Sequence, residues 1–212
     1  MIFERRSELE GTHAFLSPSS YHWINYTEEK LVDRYLKSLA VQRGTELHEF
    51  ASRAIELNVP LKGRTTLSMF VNDAIGYKMS SEVPLFYDWL CYGTTDAISY
   101  RRNYLRISDL KTGETEAHFE QLRVYAALFC LDYQRRVQEL RRKGESDVDI
   151  ARRFDLNEKE LHFDPKKMNG IEQRIYQLGE IRTEMADPEE IEALMALIVS
   201  DVNVIKSVRS EE

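Results

Sequence analysis

The run Trp89-Leu-Cys91-Tyr-Gly93-Thr-Thr-Asp96-Ala-Ile-Ser-Tyr100-Arg101-Arg102-Asn103-Tyr104-Leu-Arg-Ile-Ser108-Asp109-Leu110-Lys111 reads as two strands joined by a turn. Its first half is rich in aromatics, Thr and Ile, the residues that suit a pleated, half-buried surface. Arg101-Arg102-Asn103 is a turn candidate, Tyr104 to Leu110 the returning strand, and Lys111-Thr-Gly-Glu closes it. Side chains alternate along a strand, so Asp109 and Lys111 project from one face. Asp96 shares that face if the loop holds two or four residues. A three-residue loop without a bulge puts it opposite.

Upstream of this hairpin the pattern is helical. Thr27-Glu28-Glu29 predicts a helix start, with Leu31, Tyr35 and Leu39 on one side. A second helix is expected from about Gly44 to Leu57, its stripe formed by Leu47, Phe50, Ala51, Ala54 and Ile55. A third follows a turn at Lys62-Gly63, with Leu67, Phe70, Val71, Ala74 and Ile75 facing inward. A short apolar strand spans Glu82 to Tyr87.

Downstream, a long helix is expected from about Glu116 to Lys143, with Leu122, Ala126, Phe129, Tyr133, Val137 and Leu140 in steps of three and four. Residues 146–157 read as a short helix and turn. Leu161 to Phe163, Ile171 to Gln177 and Glu180 to Met185 read as strands. The last helix has a clear start: Asp187 as N-cap, Pro188 at the first helical position, then Glu189-Glu190. This order predicts an α/β or α+β domain with a mixed central sheet.

The 212 residues carry 42% apolar and 31% charged side chains, enough for a core and a well-solvated surface. No apolar run approaches the roughly 18 residues needed to span a bilayer. The first residues lack a signal-peptide stretch, so a cytoplasmic setting is expected. Cys91 and Cys130 are too few for an iron–sulfur cluster or a structural zinc site. The net charge of -7 argues against a protein that coats nucleic acid by bulk charge. It leaves room for an enzyme that acts on nucleic acid through a carboxylate-held metal and a local basic patch.

Asp96 and Asp109, if they share a face, make a site for a hard divalent cation. A lysine beside that cation can stabilise charge developing on a phosphate or orient water. Asp-x-Lys alone also fits a solvated strand edge, so its neighbours carry the weight. Gln121 and Tyr125 lie one helical turn apart and flank the apolar stripe. His48 stands beside the stripe of its own helix, where an imidazole completes a metal site or simply packs.

In order, Leu16-Ser-Pro-Ser-Ser20 with Trp23, Gly44-Thr-x-x-His48, Glu82, Gly93-x-x-Asp96, Asp109-x-Lys111-Thr-Gly113 and Gln121-x-x-x-Tyr125 resemble the PD-(D/E)XK nuclease superfamily. The branch they resemble is that of RecB-like exonucleases, and the likeness covers about residues 15–135. It implies a restriction-endonuclease-like core over about 44–185, an N-terminal helical part at 15–43 and a C-terminal helix at 187–207, all within one domain over 1–212. It implies that His48, Asp96 and Asp109 ligate Mg²⁺ or Mn²⁺, with the carbonyl of Leu110 a further ligand. Lys111 becomes the catalytic lysine, and Gln121 and Tyr125 position the scissile phosphate. Glu82 is implied as an outer support or a ligand for a second metal. Four cysteines found in several relatives are absent, so no iron–sulfur cluster is expected. No Gly-x-x-x-x-Gly-Lys-[Ser/Thr] loop is present, so neither a nucleotide cofactor nor a helicase function is expected.

The activity so implied is a stand-alone, phage-type DNA exonuclease acting on linear DNA in recombination, repair or replication. The alternatives are a structure-selective endonuclease and an inactive DNA-binding module of the same fold. The resemblance leaves room for a homo-oligomer and for a recombination partner protein. Arg101-Arg102, Arg135-Arg136 and Arg141-Arg142-Lys143 could follow a DNA backbone, or be solvated helix and hairpin ends.

Overall fold

The computed structural model describes Ser7 and residues 13–209. Two compact units divide the chain, one ending at Glu46 and the other starting at Leu47. In the first, Pro18–Asn25 forms a 3₁₀ turn with Pro18 at its start. Trp23 donates its indole N–H to the carbonyl of Ser17 at 3.1 Å, which ties together the Ser-Pro-Ser-Ser segment. Thr27 then accepts the N–H of Lys30 and starts helix α1 (Glu28–Glu56).

Helix α1 passes from the first unit into the second without a break, where two helices were expected. Gly44 weakens a helix by only about 1 kcal/mol, and no proline interrupts the segment. Leu47 and Phe50 are exposed, which corrects the expected stripe. Ala51, Ala54 and Ile55 are the buried residues of this turn.

In the second unit, helix α2 (Thr66–Gly76) opens with a reciprocal cap between Thr65 and Ser68. A five-stranded sheet follows, in spatial order β1 (Ser80–Asp88), β2 (Cys91–Arg101), β3 (Tyr104–Leu110), β4 (Gly170–Gln177), β5 (Glu180–Met185). All neighbours are antiparallel except β3 and β4, which run parallel. A parallel pair needs a crossover, supplied here by the segment holding α3 (Glu120–Arg142) and α4 (Asp147–Arg153). Helix α5 (Pro188–Arg209) ends the described chain. The expected strand at Leu161 to Phe163 is a turn instead. Leu161 and Phe163 are apolar because they plug the core, not because they pair.

Both faces of the sheet are covered. On one, Leu85, Ile98, Leu105, Ile107 and Ile175 pack with Leu122, Ala126 and Phe129 of α3 and Ile191 of α5. On the other, Ala97, Leu110 and Tyr176 pack with Ala51 and Ala54 of α1 and Phe70 and Val71 of α2. This is the expected α/β (α+β) class, a mixed sheet flanked by helices, consistent with a restriction-endonuclease-like core. No helix among the described residues is long and apolar enough to cross a membrane.

Candidate metal and catalytic centre

The hairpin turn sets up the centre. Arg101 pairs with Tyr104, so the loop is only Arg102-Asn103, both with positive φ (51° and 59°). That is the two-residue turn that matches strand twist. With an even loop, Asp96 and Asp109 fall at matching positions just past the last pair, Ala97 with Ser108. There β2 and β3 part. Asp96 Oδ2 accepts the N–H of Leu110 at 2.8 Å, while β3 stays on β4 through Lys111 N–H to the carbonyl of Tyr176 at 2.9 Å.

The partner strand is also irregular here. Pairs Ser81–Ala97 and Val83–Thr95 bracket Glu82 opposite Asp96. Ser81 bonds to Ser52 of α1 at 2.9 Å, yet Val83 and Leu85 pack in the cluster under α3. The alternation of faces therefore reverses at Glu82, whose φ is 49°. A non-glycine residue in that region is held there by its surroundings and often marks a functional site. The result places one ligand atom each from His48, Glu82 and Asp96 within 4.8 Å of one another.

Asp109 is not part of that trio. It is 4% exposed and is engaged by Lys111, whose Nζ donates to Oδ1 at 3.1 Å. Lys111 Nζ also lies 3.0 Å from Oδ2, an ion-pair distance, but the angle makes no hydrogen bond and Oδ2 is left without one. Lys111 donates in addition to Gln121 Oε1 at 2.9 Å, and Gln121 reaches Tyr125 Oη at 3.4 Å. The first turns of α3 thus hold the lysine from above. Tyr125 is seated on Gly93: a Cβ there would lie 2.9 Å from its ring.

The charges resist one another. Burial, and next the Asp96 carboxylate, push the Asp109 carboxyl above its ordinary range, with Lys111 opposing. Burial and Asp96 also raise Glu82. Hydrogen bonding to Asp96 raises His48 against the effect of its own burial; its Nδ1 lies 3.4 Å from Asp96 Oδ1. Carboxylates with raised pKa, an imidazole and an orphaned buried oxygen on Asp109 make a donor set that suits Mg²⁺ or Mn²⁺. Leu110, offered as a ligand through its carbonyl, meets this group through its N–H.

The arginines separate into two kinds. Arg136 makes two bonds to the fully buried Asp132, at 2.8 and 2.9 Å. Arg135 bonds to Asp132 and to the carbonyls of Phe86 and Tyr87. Arg135 thus fastens α3 to the end of β1, and Arg136 neutralises Asp132 from the same helix. Arg141 is paired with Asp147. Arg101 and Arg102 are exposed. Cys91 and Cys130 are both free thiols.

Sequence patterns alone leave Glu82 at the margin and give Gly93 no task. The backbone reversal at Glu82 has no sequence signature. Gly93 does carry a signal for the seat of an aromatic ring, since glycine in a strand often marks a close approach. No protein-family model, no curated protein and no solved structure matches this chain.

Proposed function

We propose that this protein is a Mg²⁺- or Mn²⁺-dependent DNA nuclease, an exonuclease acting on linear DNA in a bacterial or phage-infected cytoplasm. The observation that supports this best is the register match of Asp96 and Asp109 at the fork of β2 and β3, with Lys111 spanning Asp109 and Gln121. His48, Glu82, Asp96 and Asp109 would hold the cation. A bound divalent cation supplies Lewis-acid polarisation of a phosphoryl oxygen and lowers the pKa of water.

The chain's own groups do the rest. Lys111, fixed by two partners, presents a positive charge that costs no reorganisation when negative charge develops on the phosphate. Gln121 sets the lysine's direction, and Tyr125 fixes Gln121 from its seat on Gly93. The part-buried position of Lys111 strengthens its field relative to water.

Digestion of 5′- and 3′-labelled linear DNA and of covalently closed circles, with Mg²⁺, Mn²⁺ or EDTA, tests the reading. Metal-dependent loss of label from linear DNA alone supports an exonuclease. Cutting of closed circles replaces it by an endonuclease. Binding without cleavage under every metal overturns it in favour of an inactive module.

A further inference from the structure

A cleft of about 590 Å³ opens between the β1–β2 edge of the sheet and the α3–α4 layer. Its floor is the closed core, with Leu85, Ile98, Phe129 and Phe163 buried beneath it, and its open lining is more polar than apolar. Tyr133 and Phe154 form one wall, their rings 5.6 Å apart and edge to face. Lys78, Arg101 and Arg102 stand at its rim. All three are exposed and have no side-chain partner among the described residues. In a chain of net charge -7, where most arginines on the α3 face are ion-paired, such a convergence of unpaired cations is selective.

The acids of the cleft do not cancel them. Glu160 is spent inward, accepting the N–H groups of Asn103 at 2.9 Å and Asn157 at 2.8 Å. Asp155 alone remains, one acid against three cations. The volume suits one small planar group, since ligand cavities fall at about 300–1,000 Å³. The half-buried rings of Tyr133 and Phe154, set in a largely polar lining with a cationic lip, offer a stacking surface to a nucleobase whose phosphates lie outside.

We infer that this cleft holds a nucleotide of a single DNA strand, its base inside and its flanking phosphates on Lys78, Arg101 and Arg102. The inference rests on the nuclease reading for the identity of the strand. Ser80 and Val83 of the cleft flank the segment that carries Glu82, and Arg101 lies five residues along β2 from Asp96, about 17 Å. A strand held here is therefore anchored away from the carboxylates rather than at them.

The test measures binding alone, with the full chain in EDTA, so it does not depend on cleavage. A labelled oligothymidylate should bind with an affinity that falls as salt rises. Arg101→Ala/Arg102→Ala should weaken it about tenfold at low salt and reduce the log–log salt slope by roughly 1.4, about 0.7 per phosphate on a single strand. Arg101→Lys/Arg102→Lys should keep the slope, which separates charge from misfolding. An abasic strand of equal length should bind about fivefold or more weaker, as expected when a base loses its stacking surface. An unchanged slope in the alanine variant, or equal binding of the abasic strand, overturns the inference. If thymidine 5′-monophosphate binds at these arginines and the strand does not, the inference fails and the cleft serves a free nucleotide instead. Metal-dependent cleavage, measured separately, stands or falls independently of these results.

Discussion

The carboxylate of Asp96 accepts the backbone N–H of Leu110 at 2.8 Å, across the point where β2 and β3 part. One side chain is thus both a candidate ligand and the clasp of the opened sheet. Asp96→Asn keeps an acceptor for that N–H and removes a charge crowded by Glu82 and Asp109. Asp96→Ala removes both. In EDTA at pH 8 the Asn variant should be at least as stable as the wild type, and the Ala variant less stable than Asn by about 1 kcal/mol. Both should lose metal-dependent cleavage. Urea denaturation and a nuclease assay check the pair.

Asp109 gives a pH signature in the metal-free protein. Its folded carboxyl binds a proton at higher pH than it does in the unfolded chain. The native state therefore holds more protons across that window, and stability falls as pH rises through the folded pKa, from about pH 4 upward. Asp109→Asn should lack this fall. Denaturation midpoints in EDTA, compared between the two proteins at each pH, isolate it from other titrations. Parallel curves would show that Asp109 is not held at a raised pKa.

For His48 the proton and the cation compete, because a protonated imidazole has no lone pair to donate. Hydrogen bonding to Asp96 raises its pKa, so the competition begins above the ordinary value of about 6.5. The Mn²⁺ needed for half-maximal activity should climb as pH drops through that range, and excess Mn²⁺ should restore activity. His48→Ala should bind Mn²⁺ more weakly and lose the steep pH dependence. Calorimetric Mn²⁺ titration without DNA provides a readout free of cleavage.

Lys111→Ala should lower kcat by about 100-fold or more, the scale of losing a preorganised charge in the transition state. DNA affinity measured in EDTA should stay within about twofold, since one phosphate contact among several is worth little more. Normal turnover with collapsed affinity would make Lys111 a strand contact and nothing else.

Gly93→Ala sets a Cβ against the Tyr125 ring. Overpacking of this kind costs typically about 1–3 kcal/mol. Cleavage should fall, because the Tyr125–Gln121–Lys111 chain shifts with the ring. Tyr125→Leu in the Gly93→Ala background should recover stability but not activity. Additive losses in that double variant would mean the two residues do not interact.

Much of this architecture is legible in the amino-acid order. The turn residues at 101–103, the regular steps of α3 and the Asp187-Pro188 cap are local signals, and local chemistry fixes those elements. Asp109 and Lys111 share a neighbourhood because alternation in a strand is a rule of geometry. The continuity of α1 is hidden because a lone glycine looks like a stop but is weak against the helix on either side. Phe163 resembles a strand residue because an apolar triplet shows burial, not pairing. Glu82 stays inconspicuous because its place opposite Asp96 depends on β1–β2 register, a non-local fact. Arg135 and Arg136 look like free cations because their partner, Asp132, is an acid buried on the same helix, and burial is invisible in a list of charges.

The turn at Arg102-Asn103 makes no contact with the carboxylates, yet it counts for them. It fixes whether the tally of residues between Asp96 and Asp109 is odd or even. One residue inserted or deleted in the turn, with no bulge to absorb it, would slip the pairing and send one acid to the wrong face of the sheet, even if every side chain of the centre were intact. Two residues added would restore the match. Length variation at this exposed tip should therefore be tolerated in steps of two, or where a bulge takes up the odd residue, an arithmetic imposed on a surface loop by chemistry about 17 Å away.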